Sequence, residues 1–404
     1  MKSSHEGQAH SETARLALRS EFLPLCRPTL GEEEIQEVVD TLRSGWLTTG
    51  PKVERFEKRF QDYLGDLECV AVSSATAGLH LALLAAGIGP GDEVITTSMT
   101  FAATGNVIAL CGARPVLVDC DSETLNIDVE VLESRITRKT RAIIPVHFAG
   151  QPCAMDELKE IARRHHLIII EDAAHALGTE YRGQKIGTVG DIAVFSFHPI
   201  KSITTGEGGM VVTKNGEWAE RLRLLKFHGM GTSAWQRLSG GKASVYAVVL
   251  PGFKYIMMDL QAAIGIHQMD RLEGFLVRRA ALAEIYTRLL KEVQGVKPLG
   301  RVPYPHRHAW HLYVIQLELE QLDIDREAVL ELLKARNIGC GVHYPALHLQ
   351  PYYRDQWGYR PGDVPQAERL SDRLLSLPLF PGMIEGDVEY VVEAMKEIVE
   401  QHRR

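Results

Sequence analysis

The feature that most constrains the fold is an alternation of short apolar runs with amphipathic helical patterns between residues 21 and 260. Five of the runs are rich in β-branched residues and apolar on both faces, and they lie at 93–97, 115–119, 142–146, 167–172 and 191–196. Such runs are typical of parallel strands covered on both sides. Stretches such as 156–165 carry apolar residues on one face and indicate helices. The alternation predicts an α/β domain with a mostly parallel sheet and right-handed crossovers.

A different pattern follows this region. Residues 259–293 have a continuous helical pattern, which is long for a globular helix and predicts either a link between two domains or a kink near Gly274. Beyond it the sequence predicts strands and helices, at 311–319, 325–336, 341–343, 366–375 and 387–402. We therefore expect three parts, which are a flexible leader over 1–20, a large domain over 21–265 and a smaller α+β domain over 266–404.

The composition argues against several classes of protein. The chain has 404 residues, with 45 Lys and Arg against 52 Asp and Glu and a formal charge of −7, so it lacks the basic surface that a nucleic-acid partner requires. The sequence contains no run of about 18 apolar residues that could span a membrane, and its first residues lack the apolar core of a secretory signal. The six cysteines show neither C-x-x-C nor zinc-finger spacing. We therefore expect reduced thiols, no metal site and a cytoplasmic protein.

Polar residues after the predicted strands are the first candidates for a site, because ligands of open α/β sheets bind beyond the carboxyl ends of the strands. Asp172 ends one strand, Ser196 ends another, and Lys201 follows in a turn that leads to a glycine cluster. Phe101 follows a third strand. The small residues 73–78 follow a fourth strand and open a helix.

Each of these features suits one part of a pyridoxal phosphate (PLP) site. The N–H groups at a helix start bind phosphate, and an aromatic ring stacks on a flat heterocycle. A buried carboxylate keeps a ring nitrogen protonated, and a lysine forms a Schiff base. Taken singly, each feature is also typical of a helix cap, a core side chain or a solvated charge. Their joint order along the chain indicates PLP chemistry.

Competing phosphate motifs are incomplete. Residues 87–92 begin like the G-x-G-x-x-G dinucleotide motif, but the last of them is Asp92, and they precede a strand instead of following one. Gly241-Lys242 is followed by Ala243 rather than by the Ser or Thr of a P-loop. The sequence thus argues against a nicotinamide enzyme and against a nucleoside triphosphatase.

Several ordered segments, covering most of the chain from Phe22 onward, resemble the DegT/DnrJ/StrS family of sugar aminotransferases. They are SGWLTTGPKVERFE (44–57), SSATAGLHLAL (73–83), GPGDEVITTSMTFAAT (89–104), IIPVHFAGQPCAMDEL (143–158), IIEDAAHALG (169–178), FSFHPIKSITTGEGGMVVT (195–213) and HAWHLYVI (308–315). The resemblance is close to enzymes that aminate UDP-4-keto sugars, such as those that make UDP-4-amino-4-deoxy-L-arabinose. It implies the PLP-dependent transferase fold type I, which is aspartate aminotransferase-like.

The same resemblance implies the reaction and the residues that carry it. An amino group passes from L-glutamate to a nucleotide-linked keto sugar, with 2-oxoglutarate as the other product, in lipopolysaccharide or polysaccharide biosynthesis. Lys201 is implied as the catalytic lysine that forms the Schiff base and shuttles the proton, and Asp172 as the partner of the ring nitrogen. The implied cofactor residues are Ala75, Thr76 and Ser196 at the phosphate, Phe101 stacked on the ring, His175 beside the ring hydroxyl, and Asp172 and Lys201. The residues expected near the sugar nucleotide are Trp46, Thr48, Thr49, His343 and Tyr344.

One position departs from the family pattern. The family usually reads Tyr-Asn-Met where this chain has Tyr255, Ile256 and Met257, and that Asn reaches the cofactor phosphate of the neighbouring subunit. Ile256 cannot donate this hydrogen bond, so we expect cofactor retention to be weaker by roughly 1–2 kcal/mol unless Lys254 or a water compensates. The fold also implies a homodimer with its active site at the subunit boundary.

Two alternatives on the same fold stay open. In PLP-dependent sugar dehydratases the lysine is replaced by His, so Lys201 argues against that reaction. A catalytically silent sensor or regulator has no need of both Asp172 and Lys201, although Ile256 leaves room for this interpretation.

Overall fold

The computed structural model of the chain describes residues 17–231 and 246–404. The strands in these ranges are β1 Glu68–Val72, β2 Glu93–Thr97, β3 Arg114–Val118, β4 Thr140–Ile144, β5 Ile168–Asp172, β6 Glu180–Tyr181, β7 Gln184–Lys185, β8 Ile192–Ser196, β9 Gly209–Thr213, β10 Val296–Pro298, β11 His306–Arg307, β12 Tyr313–Leu317 and β13 Leu374–Leu377. The α-helices there are α1 Glu32–Ser44, α2 Pro51–Leu64, α3 Ala75–Ala85, α4 Ala102–Leu110, α5 Val129–Leu132, α6 Met155–His165, α7 Gly216–Leu225, α8 Asp259–Leu290, α9 Arg326–Ala335, α10 Pro351–Trp357, α11 Pro365–Ser371 and α12 Glu385–Gln401. Short 3-10 helices lie at Glu133–Arg135, Phe148–Gly150, Leu319–Gln321 and Leu347–Leu349.

The central sheet of the described chain has seven strands in the order β1-β9-β8-β5-β4-β2-β3. The strands β3, β2, β4, β5 and β8 run parallel to one another. This confirms the five predicted buried parallel strands, with ends that move by one or two residues at most. β9 runs antiparallel to both of its neighbours, β1 and β8. Apolar periodicity does not reveal this reversal, because strand direction depends on the connection rather than on the residues of the strand.

Helices cover both faces of this sheet, which is why its strands are apolar on both sides. On one face α2, α6 and the first half of α8 bury a core that includes Phe60 and Ile266. On the other face α3, α4 and α7 bury a core that includes Leu79, Val107 and Leu222. Each fully buried side chain of this size contributes roughly 1.5–3 kcal/mol of transfer free energy.

The helix α8 joins two apolar cores. It is a single 32-residue helix that runs without interruption through Gly274, where the sequence predicted a kink as the alternative to a link between domains. Leu276 packs in the core of the large sheet. Leu282 and Tyr286 pack in a second core, with the antiparallel sheet β10-β12-β13 and the helix α12. The change of core therefore falls between Leu276 and Leu282, beyond the predicted domain boundary at residue 265.

Two predicted C-terminal elements are wrong in part. The helix predicted over 366–375 ends at Ser371, and Leu374–Leu377 form β13 instead. The strand predicted at 341–343 is absent from the described structure, where Gly341 makes a single bridge to Ser376. Short apolar runs do not separate helix from strand by periodicity alone, so pairing with β12 decides the outcome at Leu374.

The N-terminal segment packs on the C-terminal core. Residues 1–16 of the predicted leader lie outside the described residues, whereas Arg19 forms an ion pair with Asp387 at 2.6 Å. The N–H of Leu23 donates to the carbonyl of Asn337 at 2.8 Å, and its side chain is buried in the second core. In the described ranges no helix is both long enough and apolar enough to cross a membrane, and no cluster of His, Cys, Asp and Glu could hold a metal ion.

Candidate active site

A cavity of about 390 Å³ lies beyond the carboxyl ends of β2, β5 and β8, beside the start of α3. The parallel strands bring their ends to one edge of the sheet, so residues far apart in sequence meet there. Every residue predicted for the cofactor lines this cavity, and so do two of those predicted for the substrate. They are Ala75, Thr76, Phe101, Asp172, His175, Ser196, Lys201, His343 and Tyr344.

The start of α3 offers hydrogen-bond donors to an anion. Ser74 caps the helix, because its Oγ accepts the N–H of Ala77 at 3.1 Å. The N–H groups of Ala75 and Thr76, at the first helical positions, have no partner within the helix. Gly209 of β9 passes so close that a Cβ there would lie 2.7 Å from the nitrogen of Ala75. N–H groups without a partner in their own helix, together with the positive end of the helix dipole, suit a phosphate.

Asp172 is buried at the end of β5, and hydrogen bonds fix its carboxylate. The hydroxyl of Thr104 donates to Oδ2 at 2.7 Å, and the N–H of Ala174 donates to Oδ1 at 3.1 Å. Burial raises the pKa of Asp172, whereas these hydrogen bonds and the charge of Lys201 act in the opposite direction. A carboxylate held in one orientation beside a cation is suited to keep a nearby ring nitrogen protonated.

Lys201 lies in the turn after β8 with its amine enclosed. Its backbone N–H donates to the carbonyl of His198 at 2.9 Å, and its Nζ lies 3.4 Å from Nε2 of His311. Burial lowers the pKa of Lys201 to about 8, although the charge of Asp172 opposes this shift. A useful fraction of the amine is therefore uncharged near neutral pH, as a nucleophile or a base requires.

His175 is held in one protonation state. Its Nδ1 accepts the N–H of Ala149 at 3.3 Å, and its Nε2 lies 3.0 Å from the hydroxyl of Tyr344. Burial and the charge of Lys201 hold the pKa of His175 well below its ordinary value. A neutral ring that accepts at Nδ1 carries its proton on Nε2 and donates to Tyr344. The hydroxyl of Tyr344 accepts this bond, which leaves its own proton available to the cavity.

Two further predicted residues shape the opening. Phe101 is 60% exposed, and its ring centroid lies 5.9 Å from that of Tyr344. An exposed ring beside a cavity can stack on the flat ring of a ligand. Nδ1 of His343 lies 2.8 Å from the hydroxyl of Ser376, and burial lowers the pKa of His343 to about 4. His343 is therefore neutral at physiological pH.

The structure does not bring the other predicted substrate residues to this cavity within one chain. Thr48 and Thr49 line a second cavity of about 510 Å³, together with Ile256. The indole of Trp46 donates to the carbonyl of Thr49 at 3.1 Å, and the hydroxyl of Thr49 donates to the carbonyl of Met257 at 2.6 Å. The three predicted residues are thus tied to the segment in which Ile256 departs from the family pattern.

Sequence reasoning missed His311 and Thr104. His311 is buried against Lys201, its ring centroid lies 4.3 Å from that of His175, and its Nδ1 has no hydrogen-bond partner among the described residues. Burial, with the charge of Lys201, holds the pKa of His311 well below its ordinary value. Both residues lie in segments that resemble the family, which was the available signal. Neither His311 nor Thr104 ends a strand, so the expectation that ligands bind at strand ends did not identify them.

The arrangement fits PLP. A helix start with free N–H groups, a buried carboxylate and a lysine with a lowered pKa face one cavity, and an aromatic ring stands at its opening. The reversed strand β9 within an otherwise parallel series and the second, smaller core complete the architecture. The fold and the site define a PLP-dependent transferase of fold type I.

Comparison with known proteins gives the family. The model of the DegT/DnrJ/EryC1/StrS aminotransferase family matches residues 28–396, and the chain belongs to this family. The uncharacterized protein MJ1066 of Methanocaldococcus jannaschii is 50% identical over 387 residues, which are 96% of this chain and 100% of the relative. The spore coat polysaccharide biosynthesis protein SpsC of Bacillus subtilis is 47% identical over 385 residues, which are 94% of this chain and 98% of SpsC.

A solved structure agrees with this assignment. Spr1654 of Streptococcus pneumoniae, described as a sugar aminotransferase, is 34% identical and superposes in its PLP form with a TM-score of 0.87, covering 94% of this chain and 99% of its own. Its form with pyridoxamine phosphate gives a TM-score of 0.88. The protein is therefore an enzyme, a PLP-dependent sugar aminotransferase. The predicted family, fold, enzyme class and cofactor are confirmed.

Proposed function

We propose that the enzyme transfers an amino group from L-glutamate to the keto group of a nucleotide-linked sugar, a UDP-4-keto sugar, at the Lys201 cavity. The observation that carries this proposal is that Lys201, Asp172 and the start of α3 face one cavity of about 390 Å³. The name of the relative SpsC supports a sugar destined for a polysaccharide. The six free cysteines support a cytoplasmic location.

Two residues carry the proton chemistry in this proposal. PLP, when bound, would supply a carrier for the amino group and an acceptor for the electron pair left when a C–H bond breaks. Lys201 would hold the cofactor in the resting enzyme and, as a free amine, would move the proton at the amino-bearing carbon. Its pKa of about 8 lets it act as a base near neutral pH. Asp172, oriented by Thr104 and Ala174, keeps the ring nitrogen protonated.

The remaining residues of the cavity bind and orient. The N–H groups of Ala75 and Thr76 and the hydroxyl of Ser196 would bind the phosphate, because these three residues line the cavity beside the positive end of α3. Phe101, exposed at the opening of the cavity, would stack on the ring. His175 donates to Tyr344, whose hydroxyl proton then faces the ligands.

The test separates the two half-reactions. Purified enzyme is incubated with L-glutamate alone, and we expect its yellow absorbance to fall as 2-oxoglutarate appears. A panel of nucleotide keto sugars is then added, and mass spectrometry reads the product. Gain of an amino group supports the proposal, whereas loss of water from the sugar indicates a dehydratase. Protein that binds PLP but exchanges with no amino donor indicates a sensor and overturns the proposal.

We also propose that the active enzyme is a homodimer in which Trp46, Thr48 and Thr49 of one subunit complete the Lys201 cavity of the other. These residues lie apart from Lys201 in one chain, next to Ile256, at the position where the family Asn reaches the neighbouring subunit. Thr48 is exposed, so a bulky side chain there is compatible with folding.

Hybrid dimers test this arrangement. Lys201→Ala and Thr48→Tyr each inactivate their own homodimer, but a hybrid of the two has one site with neither change when the site is shared. We expect the hybrid to recover about half of the activity per dimer, as two-fold symmetry dictates. An inactive hybrid would refute the shared site, and a fully active monomer would refute the dimer.

A further inference from the structure

A buried imidazole–carboxylate pair lies behind the cavity, on the other side of the sheet. Glu171 precedes Asp172 on β5, so the two side chains point to opposite faces. Oε2 of Glu171 lies 2.9 Å from Nε2 of His147, and both side chains are fully buried, with 0% exposure. Neither side chain lines the Lys201 cavity. Such a pair is expensive to bury, yet the proposed chemistry makes no use of it.

The hydrogen bonds around this pair determine which of its atoms donate a proton and which accept one. Nδ1 of His147 accepts the N–H of Cys153 at 3.0 Å, so the ring carries its proton on Nε2 and donates it to Glu171. The other carboxylate oxygen of Glu171 accepts the N–H of Gly190 at 2.7 Å. The site thus requires an acceptor at Nδ1, a donor at Nε2 and two acceptor oxygens on residue 171.

His147 precedes the loop Phe148–Gly150, which contacts His175 of the cavity and His311 beside Lys201. The N–H of Ala149 donates to Nδ1 of His175 at 3.3 Å, and its carbonyl accepts the backbone N–H of His311 at 3.0 Å. Ala149 has a φ of 56° and a ψ of 6°, a left-handed conformation that costs about 1–2 kcal/mol for a residue with a Cβ. Gly150 has a φ of 94°, and a Cβ there would lie 2.9 Å from the carbonyl oxygen of His175. A strained and crowded loop of this kind needs its ends fixed.

We propose that His147 and Glu171 are positioning residues that hold this loop and, through Ala149, orient His175 and His311 toward Lys201. A backbone hydrogen bond, from the N–H of His147 to the carbonyl of Asp172 at 3.2 Å, fixes the first end of the loop. The side chains of the pair act at the far end, where Nδ1 of His147 accepts the N–H of Cys153 and Glu171 orients the imidazole. The inference rests on the proposed function, since it concerns the same cavity.

Three substitutions separate the contacts of the pair. His147→Asn keeps an acceptor for Cys153 but loses the donor to Glu171, whereas His147→Gln keeps that donor and loses the acceptor. Glu171→Gln places a second donor against His147 or Gly190, where an acceptor is required. We expect His147→Gln, which releases the N–H of Cys153, and Glu171→Gln to weaken PLP binding about tenfold, because small misplacements of site groups are costly. We also expect the pH dependence of the absorbance of bound PLP to shift in both variants, and His147→Asn, which keeps the acceptor for Cys153, to retain more of both properties.

The chain offers a matched control in His348, a fully buried imidazole whose Nε2 lies 2.9 Å from Oε1 of Glu368. His348 does not line the Lys201 cavity. We expect His348→Gln to lower the melting temperature about as much as His147→Gln does, without changing PLP affinity or absorbance. The second readout is amide hydrogen exchange of residues 147–153 in the apoprotein, which we expect to rise in His147→Gln and not in His348→Gln.

The outcomes discriminate the inference from the proposed function. If His147→Gln loses only stability, with PLP affinity and exchange over 147–153 like those of His348→Gln, the positioning role is wrong. If the wild-type protein fails to exchange with glutamate, the proposed function is wrong. In that case amide exchange in the apoprotein still decides whether the pair holds the loop.

Discussion

The two cavities of this chain are assembled in different ways. The Lys201 cavity collects residues from the ends of β2, β5 and β8, and its central groups are buried, with the pKa of Lys201 and of His175 lowered. The second cavity lies between α2, α7 and the segment at Ile256, and Thr48 at its edge is exposed. Sheet topology thus brings the reactive groups together within one chain, whereas the proposed contacts of Trp46, Thr48 and Thr49 with the substrate would depend on assembly of a dimer.

The largest effect is expected in the Lys201 cavity. Lys201→Ala removes the amine that holds the cofactor, so we expect turnover and the yellow absorbance to disappear together. Lys214 is an exposed lysine whose Nζ donates to the carbonyl of Thr188 at 3.0 Å, and Lys214→Ala is the control that stays coloured and active. A coloured, active Lys201→Ala enzyme would assign the chemistry to another group. Absorbance spectra and steady-state rates make both measurements.

A smaller effect on turnover is expected when Asp172 loses its charge but keeps its shape. Asp172→Asn keeps the size of the side chain but loses the anion, so we expect kcat to fall about 100-fold. Burial raises the pKa of Asp172, which means that the charged form is disfavoured in the fold. The apoprotein should therefore melt at an equal or higher temperature after the change. Wild-type kcat in this variant would remove Asp172 from the mechanism.

The pH dependence of cofactor attachment tests the enclosure of Lys201. Lysine attacks the cofactor aldehyde as a free amine, so the attachment rate in the apoprotein should rise with pH and level off above the lysine pKa of about 8. The charge of Asp172 raises the pKa of Lys201, so the midpoint should move to lower pH in Asp172→Asn. Stopped-flow absorbance measures both midpoints. A midpoint near the ordinary lysine value would mean that the amine is open to water.

The smallest expected effect belongs to the second cavity. Ile256→Asn restores the family donor while its backbone bridge to Val72 is kept, so we expect PLP to be retained about fivefold better. Ile256→Val is the matched apolar control and should bind PLP like the wild type. Titration of the apoprotein with PLP gives both dissociation constants. Equal constants for the Asn and Val variants would show that this position does not reach a cofactor.

Much of the fold and of the chemical centre follows from sequence pattern. Strands apolar on both faces identify β2, β3, β4, β5 and β8, and the residues at strand ends identify Asp172, Ser196 and Lys201. Both inferences depend on features of short segments, which are the apolar pattern of a strand and the residues at its end.

The rest depends on contacts between distant elements. His311 belongs to the C-terminal half of the chain and reaches Lys201 only because two cores pack together. The reversal of β9, the strand at Leu374 and the separation of Thr48 from Lys201 are likewise set by partners, which periodicity along one segment does not encode.

The continuous helix α8 has a mechanical consequence. Because α8 packs in both cores, a rotation of the smaller core relative to the sheet would have to tilt or bend this helix. Tyr344, in the C-terminal half of the chain, hydrogen-bonds with His175, in the turn after β5. Such a rotation would therefore also have to stretch or break this contact at the wall of the cavity.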